Sequence, residues 1–179
     1  KRDANSTIIL NQLYKYTQMQ ETFGANMLAL VNGEPKTLNL KEILDNYVRF
    51  QEEVIVRRTK FDKNKAEERA HILEGLRIAL DHIDEVINVI RASKSIPDSK
   101  LALQERFGLS DIQAQAILDM QLKRLSGLQR EKIEEEYKQL MELIAYLKQV
   151  LASEKLVFDI IKTELLEIKE KYGDERLTK

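Results

Sequence analysis

The chain has 179 residues, with 29 Lys plus Arg against 30 Asp plus Glu and a formal net charge of −1. The length suits one domain or two small ones. The even charge balance argues against a dedicated nucleic-acid arm or a membrane-surface peptide, the absence of cysteine excludes a disulfide framework and a thiolate metal site, and no apolar run approaches the ~18 residues of a membrane span.

A third of the residues are charged and only two are proline, a composition that goes with long solvent-exposed helices. KRDANSTIIL at the start is not a signal peptide, because its apolar run is too short. It begins without methionine, which suggests a piece of a larger protein. A soluble cytoplasmic protein is expected.

Ser6 to Gln20 reads as a short helix, capped by Asn5 or Ser6, with Ile9, Leu13 and Tyr16 on one side. In NMLALVNGEPKTLNL two short apolar runs flank Asn32-Gly33, the strongest short-range hairpin signal. Pro35 confines the second strand to an edge or a late start.

Asn39 then caps a helix expected to run unbroken to Ser95, because the segment holds no proline and only Gly75. Leu40, Leu44, Tyr47, Phe50, Val54 and Phe61 carry its first part. RRTKFDKNKAEERA in the middle is nearly all polar and keeps a thin seam of Phe61, Ala66 and Ala70. Arg57, Arg58, Lys60, Lys63 and Lys65 read as a solvated face interleaved with acids rather than a nucleic-acid patch. Further on, Ile72, Leu76, Ala79, Ile83, Val86 and Ile90 step 4, 3, 4, 3, 4, the spacing of a packing seam.

Pro97 ends this helix. A short helix from Lys100 to Phe107 stops at Gly108, and Ser110 caps SDIQAQAILDMQLKRL, which Gly127 ends. From Leu128 a helix returns with Ile133, Tyr137, Leu140, Ile144, Leu147 and Leu151 again stepping 4, 3, 4, 3, 4. Ser153 interrupts or re-caps it. The last helix carries Phe158, Ile161, Leu165, Ile168 and Tyr172 and stops at Gly173.

Two long patterned segments flanking short helices predict a mainly α fold: a long antiparallel coiled-coil arm, a small helical globular tip and one short β-hairpin at the base. The expected divisions are a base over 1–39, an outgoing arm over 40–75, a tip over 76–127 and a returning arm over 128–179. So small a tip can hardly bury both of its faces, so a self-complementary patch and a two-fold homodimer are expected. The candidate interface is Ile112, Ala114, Gln115, Ile117, Leu118, Gln121, Leu122 and Leu125.

Chemistry is sparse. No Walker loop, GxGxxG, GxSxG or HExxH occurs. His71 and His82 lie eleven residues apart, so along a helix their backbones stand ~16 Å from each other, too far to share an ion. No third histidine or cysteine completes a site, so no metal and no catalytic residue is assigned. Tyr14, Tyr16 and Tyr47 are conceivable nucleophiles, but Tyr16 fits the apolar side of its helix and is read as packing. The acids Glu134 to Glu136 read as solvated face.

The segments KRDANSTIILNQLYKYTQMQETFGANMLALVNGEPKTLNLKEIL, RAHILEGLRIALDHIDEVINVIR, SDIQAQAILDMQLKRLSGL and EKIEEEYKQL resemble the A subunit of bacterial type IIA DNA topoisomerases. RAHILEGLRIALDHID and KRLSGLQREKIEEEY look more like the DNA gyrase branch of that family than the topoisomerase IV branch. The resemblance covers essentially the whole chain.

It implies a coiled-coil arm ending in the tip of the exit gate, or C-gate, where two copies meet below the DNA. The complete enzyme cuts one duplex, passes another through it with ATP, and releases it there. The family's nucleophilic tyrosine follows Arg in an Arg-Tyr-Thr context; Tyr16 follows Lys15 in a later, non-catalytic part, so the role is not carried to it. The winged helix, most of the tower and the DNA-wrapping domain fall outside this stretch. Mg2+ and ATP belong to the B subunit, the expected partner in the holoenzyme. Contact with double-stranded DNA is expected to be weak, near Lys1, Arg2 and Lys36. The alternatives are a fragment of the topoisomerase IV A subunit and an unrelated structural coiled-coil dimerisation module, which would have no use for the hairpin NMLALVNGEPKTL.

Overall fold

The computed structural model describes residues 5–120 and 127–175. Among them are seven α-helices and one two-stranded antiparallel sheet, so the mainly helical expectation holds. The chain divides into two units, Lys1–Arg49 and Phe50–Lys179.

In the first unit, helix α1 (Ser6–Tyr16) starts where the Asn5 side chain accepts from the Thr7 amide. It is shorter than the expected run to Gln20, because Thr17 turns to extended backbone and its hydroxyl donates to the Leu13 carbonyl. Strands β1 (Leu28–Val31) and β2 (Glu34–Thr37) pair in the register Leu28 with Thr37 and Leu30 with Pro35. Asn32 and Gly33 both have positive φ, 53° and 81°, the combination a type I′ hairpin turn requires. None of the described residues of this unit is buried.

Helix α2 (Leu40–Asp81) starts on a reciprocal cap: Asn39 Oδ1 accepts from the Glu42 amide, and Glu42 accepts from the Asn39 amide. Its 42 residues give a length of roughly 63 Å. The helix does not run on to Ser95. It breaks at His82 (φ −119°, ψ 35°), and α3 (Ile83–Ala92) follows. Neither proline nor glycine causes the break. Instead the His82 ring lies 5.9 Å from that of Phe107, Glu85 pairs with Arg106, and Asp81 pairs with Arg130. Tertiary contacts override local helix preference here.

Helix α4 (Ile96–Phe107) starts four residues earlier than expected. Ser95 caps it and Pro97 lies in its first turn, where a missing N–H costs nothing. Gly108 closes it in the left-handed conformation (φ 66°). Helix α5 (Asp111–Leu118) follows the Ser110 cap. Gly127 does not end that helix; it is the first residue of α6 (Gly127–Ala152). Ser153 re-caps the chain into α7 (Glu154–Tyr172), and the Gly173 amide bonds to the Lys169 carbonyl at its end.

Within the second unit the core lies in three clusters. The largest joins α2 to α6 through Leu73, Leu76, Ala79, Leu80, Val86, Leu103, Leu109, Ala114, Ile117 and Ile133. A thin one holds Ala66, Ala70 and Ile144, and a third holds Ile55, Val150, Val157 and Ile161. Both seams expected from the 4, 3 spacing pack inward in part: Leu76, Ala79 and Val86 on one, Ile133, Ile144 and Leu147 on the other. Phe61 does not join its seam and is 65% exposed. On α7 the buried residues are Val157 and Ile161, while Phe158, Leu165, Ile168 and Tyr172 stay exposed.

Candidate functional site

The knob formed by the end of α2, helices α3 to α5 and the start of α6 holds the largest buried cluster among the described residues. Fully burying one aliphatic side chain stabilises by about 1.5–3 kcal/mol, so this cluster holds the five segments together. Three of the knob's apolar side chains, Ile96, Leu101 and Ile112, are exposed, Ile112 at 60%.

The expected interface residues divide between two sides of α5. Ile112 is exposed, and Gln115 and Leu118 are half-buried. The Gln115 amide reaches both Asp119 carboxylate oxygens at 3.2 Å. Ala114 and Ile117 point inward and are buried in the chain's own core. Gln121, Leu122 and Leu125 lie outside the described residues, as do Lys1 and Arg2. Lys36 is exposed and pairs with Glu34 at 3.0 Å.

The two histidines differ. His82 packs against Phe107 at the helix break. His71 belongs to a polar knot between α2 and α5. Gln113, itself buried, donates from Nε2 to the His71 carbonyl at 2.8 Å and faces His71 Nδ1 at 3.3 Å. Its Oε1 accepts from the Ser110 amide at 2.9 Å. The Ser110 hydroxyl oxygen in turn accepts from the Gln113 amide at 3.2 Å and lies 2.7 Å from His71 Nε2. The sequence signal for this is Ser-x-x-Gln, a capping box just before an apolar run; the spacing reveals the cap and not the second helix that the glutamine also grips. No group of three His, Cys, Asp or Glu among the described residues could hold a metal ion. Tyr16 is 75% exposed rather than packed.

Along the helix pair, ion pairs run in antiparallel order. Asp81 meets Arg130; Arg77 meets Glu134 at 2.6 Å; Arg69 meets Glu136 at 2.7 Å; Glu67 meets Lys148 at 3.1 Å; Arg58 meets Glu164 at 2.5 Å. Falling numbers on α2 pair with rising numbers on α6 and α7, so those helices run in opposite directions. Glu134 and Glu136, expected to be plain solvated face, therefore bridge two helices. The hydrogen bond from Lys148 holds the Glu67 carboxyl below its ordinary value, and Lys100 does the same for Asp111. Hydrogen bonds to Glu134 and Glu136 raise Arg77 and Arg69.

The family model for the A subunit of DNA gyrase/topoisomerase IV matches residues 1–166. The DNA gyrase A subunit of Clostridium acetobutylicum is 65% identical over 178 residues, which is 99% of this chain and 21% of that protein. The DNA gyrase A subunits of Halalkalibacterium halodurans and Streptococcus pneumoniae are 61% and 58% identical over the same length, covering 21% and 22% of those proteins. The chain thus spans about a fifth of the length of the curated relatives it matches.

Proposed function

The chain belongs to the family of DNA gyrase/topoisomerase IV A subunits, and on that premise we propose that it is the exit-gate segment of a gyrase A subunit. In this reading α2 with α6 and α7 is a coiled-coil arm, the knob is the gate, and two knobs meet about a two-fold axis to form a homodimer. The complete assembly, with its B subunit, ATP and Mg2+, changes DNA topology by passing one duplex through another; this segment contributes mechanics and no catalytic residue. Its own contact with DNA is weak.

The antiparallel order of the interhelical pairs from Asp81–Arg130 to Arg58–Glu164 carries this reading. It is the connectivity of one arm going out to the knob and another returning. The exposed Ile96, Leu101 and Ile112 on the knob support a partner there. Ala114 and Ile117 serve the chain's own core and half-buried Leu118 packs against it, so the proposed contact rests on Ile112 and Gln115, with Leu118 at its edge, joined by Gln121, Leu122 and Leu125. The expected total buried area is at or somewhat above the ~1,600 Å² of a standard interface. In the first unit, the exposed Ile8, Ile9, Phe23, Leu28 and Leu30 suit a base that other parts of the full-length protein cover.

Analytical ultracentrifugation across a dilution series tests the gate. The chain is expected to be a dimer at tens of micromolar. Ile112→Asp changes an exposed side chain and should leave helicity intact, yet it places a charge in the contact and should weaken the dimer roughly a hundredfold or more. A wild-type monomer, or a folded Ile112→Asp chain that dimerises as well as wild type, refutes the placement.

A further inference from the structure

The knot of His71, Ser110 and Gln113 has more order than holding two helices together requires. The Gln113 amide is fixed from both ends. Its nitrogen must face the His71 carbonyl, and its oxygen must face the Ser110 amide. The second N–H of that nitrogen then faces His71 Nδ1, which accepts, and this assigns the imidazole proton to Nε2, donating to the Ser110 hydroxyl oxygen. No buried side-chain polar atom among the described residues lacks a partner. One side chain therefore does two things. It completes the capping box that starts α5, and it ties that start to the backbone and ring of one residue on α2.

Gly75 lets this happen at close range. A β-carbon there would lie 2.7 Å from both Cβ and Cγ of Gln113, so the glutamine lies directly on the α2 backbone. The remaining contact between the two helices is apolar, with Ala114 and Ile117 in the same cluster as Leu73 and Leu76. Apolar burial is non-directional and tolerates sliding or rotation. A fully satisfied polar network does not, because any shift strands buried donors and acceptors.

We propose that His71, Ser110 and Gln113 form a register lock that sets the rotation of α5 on α2. The lock decides which edge of α5 faces outward, with Ile112 and Gln115 on it and Leu118 turned toward the core. Resting on the gate reading, the three are positioning residues for the contact between copies: they touch no partner and present the helix that does.

Two substitutions separate capping from locking. Gln113→Leu keeps the size and removes every side-chain hydrogen bond, leaving only the backbone amide of residue 113 on the Ser110 hydroxyl. Gln113→Glu keeps an acceptor for the Ser110 amide, so the cap survives, but it turns an oxygen toward the His71 carbonyl and opens the lock. Hydrogen exchange of the α5 amides and sedimentation are measured on the same samples, with helicity by circular dichroism. Both variants are expected to stay helical, to exchange at the α5 amides about tenfold faster, and to dimerise about tenfold more weakly. His71→Phe removes both ring contacts but keeps the bond to the residue 71 carbonyl; it is expected to quicken α5 exchange by less than Gln113→Leu, and it carries the test from α2 if the Gln113 variants fail to fold.

Unchanged α5 exchange in folded variants overturns the lock. Faster exchange in Gln113→Leu alone, with Gln113→Glu like wild type, reduces Gln113 to a cap and also overturns it. Faster exchange with an unweakened dimer overturns the positioning role. A wild-type monomer whose α5 amides still quicken on substitution supports the lock and refutes the gate reading instead.

Discussion

The knob and the middle of the helix pair solve the same problem differently. In the knob, ten buried residues from five segments form one cluster, with a polar knot fixing its register. In the middle of the pair, Ala66 and Ala70 of α2 meet Ile144 of α6 with half-buried Tyr137 and Leu140, and ion pairs line the edges. Small residues let two helices approach without much side-chain volume between them. Stability is therefore unevenly spread: a region with few buried apolar contacts opens at lower free energy than a dense one.

Leu103 and Ile144 measure that difference. Leu103 is fully buried between α4 and the rest of the knob, and Leu103→Ala is expected to cost about 3–5 kcal/mol, because the surrounding helices cannot collapse into the space. Ile144 is also buried but lies in a seam one layer thick. Ile144→Ala should cost about 2 kcal/mol, since water and the neighbouring side chains can reach the gap. Chemical denaturation of both variants gives the comparison. Equal losses, or a larger loss at Ile144, would mean that the two regions share one cooperative core.

The two regions are unequally legible in the sequence. The helix pair is readable because its signals are local and periodic: 4, 3 steps along α6, the Asn39 cap, and the polar middle. The hairpin is readable from Asn32-Gly33, whose positive φ values only a few residue types adopt easily. The knob is harder. The break at His82 has no local cause and is imposed by Phe107, Arg106 and Arg130, which are remote in sequence. Pro97 reads locally as a stop, whereas it sits in a first turn; proline fits either place, and only the Ser95 cap decides. Gly127 reads locally as an end and is a start.

On the candidate interface, the apolar residues of α5 signal burial without saying by what. Ala114 and Ile117 face the chain itself. The His71 knot is invisible in the sequence because a histidine and a glutamine forty-two residues apart carry no periodicity that links them.

The smallest effects belong to the ion pairs, and they test whether the middle of the helix pair depends on charge or only on its thin seam. Arg69 meets Glu136 at 2.7 Å beside the thin seam of Ala66, Ala70 and Ile144, with both charged groups partly exposed. Such pairs contribute about 0.2–1 kcal/mol once side-chain entropy and screening are counted. A double-mutant cycle of Arg69→Gln and Glu136→Gln is expected to give a coupling of about 0.5 kcal/mol that fades at ~1 M salt, where the Debye length falls to ~3 Å. Acid gives the independent check. Lys148 depresses the Glu67 carboxyl and Lys100 that of Asp111. A group whose folded value is depressed stabilises above its unfolded value and loses that contribution as pH falls through the folded one. The melting temperature should therefore decline slightly as pH drops below the ordinary values of 4.5 for Glu67 and 3.8 for Asp111, and the decline should shrink in Glu67→Gln and Asp111→Asn. A coupling well above 1 kcal/mol, or one indifferent to salt, would show that charge rather than the alanine seam holds the two helices together.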